Sequence, residues 1–196
     1  TAVPFDRWLD VGRPWELLAA TEWLSESLAT RLDGTVSDDA TIEGDVVVKP
    51  GATIKAGVTI EGPAYIGEGA AVGPNAYIRG ATAIGAGAKV GHAVEIKNSV
   101  LMSDATVGHL SYVGDSILGR GVNFGAGTTV ANLRHDDEPV AITVKGDRVS
   151  TGRRKFGVVV GDDAKTGINT SLNAGVVLGT AVTTTPGEVL PRDRWE

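Results

Sequence analysis

From residue 36 onward the chain repeats on a period of six. Val36, Ile42, Val48, Ile54, Ile60, Ile66, Val72, Ile78, Ile84, Val90 and Ile96 form an unbroken series of eleven aliphatic positions. Four residues after each comes a small or β-branched residue, in the series Ala40, Val46, Ala52, Val58, Ala64, Ala70, Ala76, Thr82, Ala88, Val94 and Val100. The register slips by one residue to Leu101, Val107 and Val113, and again to Leu118, Phe124 and Val130. After a gap it returns at Val160, Thr166, Leu172, Leu178 and Thr184, for a total of 22 hexads. An α-helix repeats every 3.6 residues and a lone half-buried strand every two, so neither explains this period. A short strand and a turn, repeated with one aliphatic residue always inward, does. Three such hexads close a triangular coil, so 22 hexads predict about seven coils of a parallel β-helix. Its coils should stack at the ~4.8 Å spacing of paired strands.

Two segments depart from the repeat. In residues 10–30, Leu17, Leu18, Leu24 and Leu28 lie at helical spacing, with Pro14 near a first turn and Asp10 or Gly12 as candidate caps. This predicts an N-terminal helix packed over the first coil, covering an open sheet edge. Residues 133–157 are polar, carry Asp136-Asp137-Glu138 and Arg153-Arg154-Lys155, and predict one long protruding loop, with a hairpin as an option. The expected organisation is a linker and capping helix over 1–32, the all-β helix over 33–190 with the 133–157 insertion, and a tail over 191–196.

Composition narrows the chemistry. Cys is absent, which excludes disulfides, thiol catalysis and thiolate metal sites. The net charge of −6 gives no basic footprint for nucleic acid. No apolar run approaches the ~18 residues of a membrane span, and no signal peptide opens the chain, so a cytoplasmic protein is expected. The chain begins Thr1-Ala2-Val3-Pro4 without Met, which reads as part of something longer. Gly is 27 of 196 residues, about 14 % against a usual ~7 %, as many tight coil corners require.

Stacking converts spacing into geometry. Hexads three apart share a wall, so Arg79 and Lys97, each following a core aliphatic residue, should stand in one outward column about 5 Å apart. Two such cations suit a phosphate dianion; the plainer alternative is a solvated surface pair. His92 and His109 should stack in the same way, as a general base, as two metal ligands, or as surface residues. His135 falls in the insertion beside acidic residues.

Specific motifs sharpen this. His109-Leu110-Ser111-Tyr112-Val113-Gly114-Asp115, then Val122-Asn123-Phe124-Gly125-Ala126-Gly127-Thr128 and Asn132, closely resemble the acetyltransferase domain of the bifunctional glucosamine-1-phosphate acetyltransferase / N-acetylglucosamine-1-phosphate uridylyltransferases. The resemblance extends back through Glu95-Ile96-Lys97 to Ile78-Arg79. The opening Phe5-Asp6-Arg7-Trp8-Leu9-Asp10 resembles the end of a sugar-1-phosphate nucleotidylyltransferase domain, and Thr151-Gly152-Arg153-Arg154-Lys155 resembles the archaeal-type members.

The resemblance implies a left-handed β-helix, a homotrimer with active sites between neighbouring helices, and a small amino-sugar phosphate as substrate. It implies His109 as general base, with Arg79, Lys97, Tyr112 and Asn123 holding the sugar phosphate. It further implies Ala126 and Asn132 as acetyl-CoA contacts and no metal, while Arg153, Arg154 and Lys155 of this chain are expected to supply, on the CoA side, the positive charge that its departures from the family remove. Glu138 stands where the family has Lys, and Ile168 where it has a CoA-binding Ser. The expected activity is acetyl transfer from acetyl-CoA to the amine of an amino-sugar 1-phosphate. One alternative is a catalytically silent β-helix that only trimerises a nucleotidylyltransferase. A remote one is a γ-class carbonic anhydrase, which needs three His around zinc.

Overall fold

The computed structural model describes residues 8–196, so Phe5-Asp6-Arg7 of the opening motif lie outside the described residues. Strands of two to four residues stack in three parallel sheets that form the walls of a triangular prism. The first wall runs from Arg31–Leu32 to Val177–Leu178 in eight strands, and the third from Thr41–Glu43 to Val189–Leu190 in eight. The second runs from Thr35–Val36 to Asn123–Phe124 in six, continued by isolated bridges through Lys165 to Thr183. The parallel β-helix is as expected but taller than about seven coils. Leu32 pairs with Val48 below the first hexad, and Leu190, six residues after Thr184, pairs with Leu172 above the last.

The hexad residues fill the axis. Val48, Ile54, Ile60, Ile66, Val72, Ile78, Ile84, Val90 and Ile96 are all buried, as are the small residues Ala52, Ala64, Ala70 and Ala88 of the second series. The slips in register shorten the coil. Ile66 pairs with Ile84, 18 residues on, but Ile84 pairs with Leu101, 17 residues on. The missing residue falls at the corner between the third and first walls. There two buried serines bridge the backbone. Ser99 Oγ donates to the Lys97 carbonyl at 2.8 Å and accepts from Ser116 N at 3.0 Å. Ser116 Oγ donates to the Gly114 carbonyl at 2.8 Å and accepts from Val158 N at 3.0 Å. The hydroxyls satisfy amides that a five-residue step would otherwise strand in the core.

The N-terminal helix, α1, spans Pro14–Ser25. Its cap differs from expectation. Arg13 is the N-cap residue without a side-chain bond, Pro14 opens the first turn, and the Glu16 carboxylate accepts the Gly12 N–H at 2.8 Å. Neither Asp10 nor Gly12 caps the helix. Its position differs too. α1 does not cover the first coil; it lies along the outer face of the first wall. Leu18 is buried with Ile117, Val140, Ile142, Phe156 and Val177 in a second core outside the prism, whereas Leu24 of the expected stripe is exposed.

The reason is written in the outward positions of that wall. The residues preceding its core aliphatics are Val47, Tyr65, Ala83, Val100, Ile117, Val159 and Val177, whereas the second wall presents Thr53, Ala71, Lys89, Thr106 and Asn123, all polar but one. An apolar stripe on one outer face needs a cover. The insertion supplies the rest of it. Its hairpin, Ala141–Val144 against Asp147–Ser150, folds back so that Val140, Ile142 and Phe156 are buried, and it does not protrude as a free loop. No helix among the described residues is long and apolar enough to cross a membrane.

Candidate functional site

The third wall carries the two cations as the repeat required. Ile78 pairs with Ile96, and Arg79 with Lys97, side by side on the outer face. Each has its own carboxylate. Glu95 Oε1 accepts from Arg79 Nε at 2.8 Å, with Nη2 2.7 Å away in the ion pair, and the guanidinium also sits 5.6 Å from the centre of the Tyr77 ring. Burial works against the Arg79 charge, but Glu95 outweighs it and raises the guanidinium pKa. Lys97 Nζ meets Asp115 Oδ2 at 2.8 Å. The two cations differ in exposure: the Lys97 side chain is 17 % exposed and its partner Asp115 4 %, whereas the Arg79 side chain is 35 % exposed.

Asp115 is the hub that sequence reasoning missed. Its Oδ2 also accepts from Asn132 Nδ2 at 2.6 Å, and its Oδ1 from Asn98 Nδ2 at 3.0 Å. Asn132 Nδ2 in turn reaches the Tyr112 hydroxyl at 3.1 Å. Burial raises the Tyr112 pKa first, and the negative charges of Asp115 and Glu95 raise it further. Asn98 and Asp115 both occupy left-handed backbone at the shortened corner, with φ of 45° and 51°. Asn and Asp tolerate that conformation better than other non-glycine residues. Gly114 leaves room for the cluster, since a Cβ there would fall 2.6 Å from Asn132 Nδ2 and against the Tyr112 hydroxyl.

The network reaches α1 and the insertion. Asn98 Nδ2 also donates to Glu22 Oε1 at 2.9 Å, and Glu22 holds Arg153 in a two-pronged ion pair. Burial pushes the Glu22 carboxyl pKa up, but the bonds from Arg153 and Asn98 outweigh it and hold it below its ordinary value. The run Arg153-Arg154-Lys155 therefore does not act as one basic patch. Arg153 faces Glu22, Arg154 meets Asp137 at 2.6 Å, and Lys155 is exposed with its backbone bridged to Leu133.

His109 stands around the corner from this cluster. It ends the second-wall strand Thr106–His109, and Leu110-Ser111 turns into the third-wall strand Tyr112–Gly114. His92 and His109 are paired in register and both are exposed. They line a groove of about 340 Å³ with Lys55, Lys89, Gly91 and Gly108. The His109 carbonyl accepts from Ser111 Oγ at 2.7 Å and from Gly127 N at 3.0 Å, which fixes the corner. Asn123 is exposed one rung above Thr106, and Ala126 is held by its carbonyl, 2.7 Å from Asn169 N. His135 lines a different groove, with Arg134, Asp136 and Arg148, so the structure does not bring the three histidines of the chain together.

The structure thus gathers Arg79, Lys97, Tyr112 and Asn132 on one wall, places His109 and Asn123 next to it across one corner, and draws Arg153 and Arg154 away to other partners. The arrangement offers directed donors for an anion and, across the corner, an exposed imidazole.

Comparison with known proteins agrees with the motif resemblance. A "Bifunctional sugar-1-phosphate nucleotidylyltransferase/acetyltransferase" from Sulfurisphaera tokodaii is 44 % identical over 187 residues, which is 95 % of this chain and 47 % of that protein. A "Bifunctional protein GlmU" from Methanococcus maripaludis strain C7 is 53 % identical over 172 residues, 88 % of this chain and 42 % of its own length. Another of that name from Methanocaldococcus jannaschii is 46 % identical over 172 residues, again 88 % of this chain and 42 % of its own. The chain spans about half the length of the curated relatives it matches. The sequence profile of one protein family, described as the GMPPB C-terminal domain, matches residues 60–192, the coils that carry every candidate residue of the site. By that match this chain belongs to the GMPPB C-terminal domain family.

Proposed function

We propose that this chain transfers the acetyl group of acetyl-CoA to the amine of an amino-sugar 1-phosphate, glucosamine-1-phosphate or galactosamine-1-phosphate. The reading includes a homotrimer with sites between copies, within a protein that also carries a sugar-1-phosphate nucleotidylyltransferase and works in the cytoplasm. The observation that carries it is the Lys97–Asp115–Asn132–Tyr112 cluster lying one corner from His109.

The ion pairs leave donors free for a phosphate. An ammonium has three N–H groups, and Lys97 commits one to Asp115. A guanidinium has five, and Arg79 commits its Nε–H to Glu95. The remaining N–H groups of both side chains can meet phosphate oxygens as charge-assisted bonds. Holding the phosphate at the outer end of the third-wall strand sets the sugar across that strand, whose two-residue span is ~6.6 Å. The Tyr112 end then presents the amine to His109. The exposed His109 imidazole, as a neutral ring, has a nitrogen lone pair that can take the proton from the attacking amine. The carbon–nitrogen bond forms as the carbon–sulfur bond of the thioester breaks, and CoA leaves as the thiolate, which takes up the proton removed from the amine and becomes the free thiol.

A thiol-release assay with acetyl-CoA and a panel of amino-sugar phosphates tests the reading. His109→Ala should lose ~10²-fold or more in turnover while light scattering shows the same oligomer. Near-wild-type turnover in that variant would remove His109 as the base. A second reading, the silent β-helix, draws on Glu138, on Ile168, and on Arg154 being tied to Asp137. Isothermal titration with acetyl-CoA separates the two, because a scaffold without a donor site gives no binding heat.

A further inference from the structure

We propose that Asp115 is a positioning residue for the acceptor site, setting the direction of Lys97 and Asn132 while touching no reacting atom. The inference rests on the acetyl-transfer reading above and deepens it. Among the described residues Asp115 is the one buried acidic residue, 3 % exposed. It takes three N–H donors on two oxygens: Lys97 Nζ and Asn132 Nδ2 on Oδ2, and Asn98 Nδ2 on Oδ1. Two of those donors belong to side chains that face the proposed sugar phosphate.

The geometry demands a carboxylate. An amide of the same shape has one accepting oxygen and one donating NH₂. Placed at 115, its NH₂ would oppose either Asn98 or the pair Lys97 and Asn132. Asn98 cannot turn over to relieve this, because the same Nδ2 also donates to Glu22 Oε1 at 2.9 Å, and the flip would set its oxygen against that carboxylate. The network therefore has one consistent arrangement of donors and acceptors. It also fixes where the unused Lys97 N–H groups point. The backbone contributes: the five-residue corner step puts Asp115 in left-handed backbone directly after Gly114, whose lack of a side chain admits Asn132 and Tyr112.

A positioning role makes a different signature from a structural one. Loss of folded enzyme lowers turnover with every acceptor alike. Misdirection of Lys97 weakens the acceptor that carries the phosphate and spares the one that does not. The test is kcat/KM of the full chain, with saturating acetyl-CoA, for an amino-sugar 1-phosphate and for the corresponding phosphate-free amino sugar. Asp115→Asn should lower the first by about 10- to 100-fold, the scale of one charge-assisted contact, and the second by less than about 3-fold. Asn98→Gly keeps the left-handed backbone and removes the amide that Asp115 Oδ1 shares with Glu22 Oε1, leaving the Asp115 carboxylate in place, so it serves if Asp115→Asn does not fold. It should lower the same ratio by about 3-fold or more, with the loss mainly in KM. An unchanged ratio in the folded variants, with the unmodified protein active, overturns the role of Asp115 alone. Absence of acetyl transfer by the unmodified protein with any acceptor removes the reading beneath it as well.

Discussion

Phe156 is fully buried where α1, the insertion and the first wall meet, against Leu18, Val140, Ile142 and Ile117. Truncating it to Ala tests the claim that these pieces form a second core separable from the prism. A buried aromatic side chain removes at least ~150 Å² of apolar surface from water, and at ~25 cal/mol per Å² this is worth about 4 kcal/mol. That agrees with the ~3–5 kcal/mol typical of Phe→Ala in cores. None of this surface belongs to the axial core, so the loss should fall on the docking of α1 and the hairpin. The axial ladder of Ile66, Ile84 and Leu101 should keep its protection. Hydrogen exchange read by peptide is the assay. Phe156→Ala should accelerate exchange in residues 14–25 and 138–157 by ~10²-fold or more, with residues 60–110 little changed. Arg153 should at the same time lose its hold on Glu22. Uniform acceleration over all coils would refute the reasoning, because it would mean that the two cores unfold as one unit.

Other outcomes follow from the same contacts. Lys97→Ala should cost about 10- to 100-fold in kcat/KM for the sugar 1-phosphate, far less for an acceptor without phosphate, and little in acetyl-CoA binding; equal losses with both acceptors would return Lys97 to an ordinary surface cation. The Glu22 carboxyl is held below its ordinary 4.5 in the folded protein, so its contribution is present above that pH and fades as the pH falls through the lower folded value. The difference in thermal midpoint between the parent and Glu22→Gln should therefore be seen at neutral pH and shrink as the pH falls below the ordinary Glu value. Gly91→Ala should destabilise by ~1–3 kcal/mol, because its Cβ would lie 2.7 Å from the Gly108 carbonyl carbon of the next coil. Gly108→Ala meets nothing within 4 Å and should leave thermal stability unchanged or slightly raised, yet raise KM by filling the groove floor beside His109.

What the sequence by itself determined was everything that repeats. The hexads specified the three walls, the inward residues, and the pairings of Arg79 with Lys97 and His92 with His109, because within an unbroken run of hexads a residue one coil away is 17 or 18 positions on. Even the place of α1 was partly written there: Tyr65, Ala83, Val100, Ile117, Val159 and Val177 mark one outer face as apolar, a second pattern hidden behind the stronger inward one. The tertiary structure decided what joins segments of unlike period. Glu22 and Arg153 stand 131 residues apart, and nothing local to either announces the other. Asp115 looked like one more corner residue. It becomes the centre of the site because it sits at a five-residue corner where Lys97 and Asn98 of the coil before and Asn132 of the coil after converge, and burial obliges each of them to find a partner. Periodicity fixes neighbours along the stack. Which polar groups must satisfy one another is fixed only once the coils, the helix and the insertion have together excluded water.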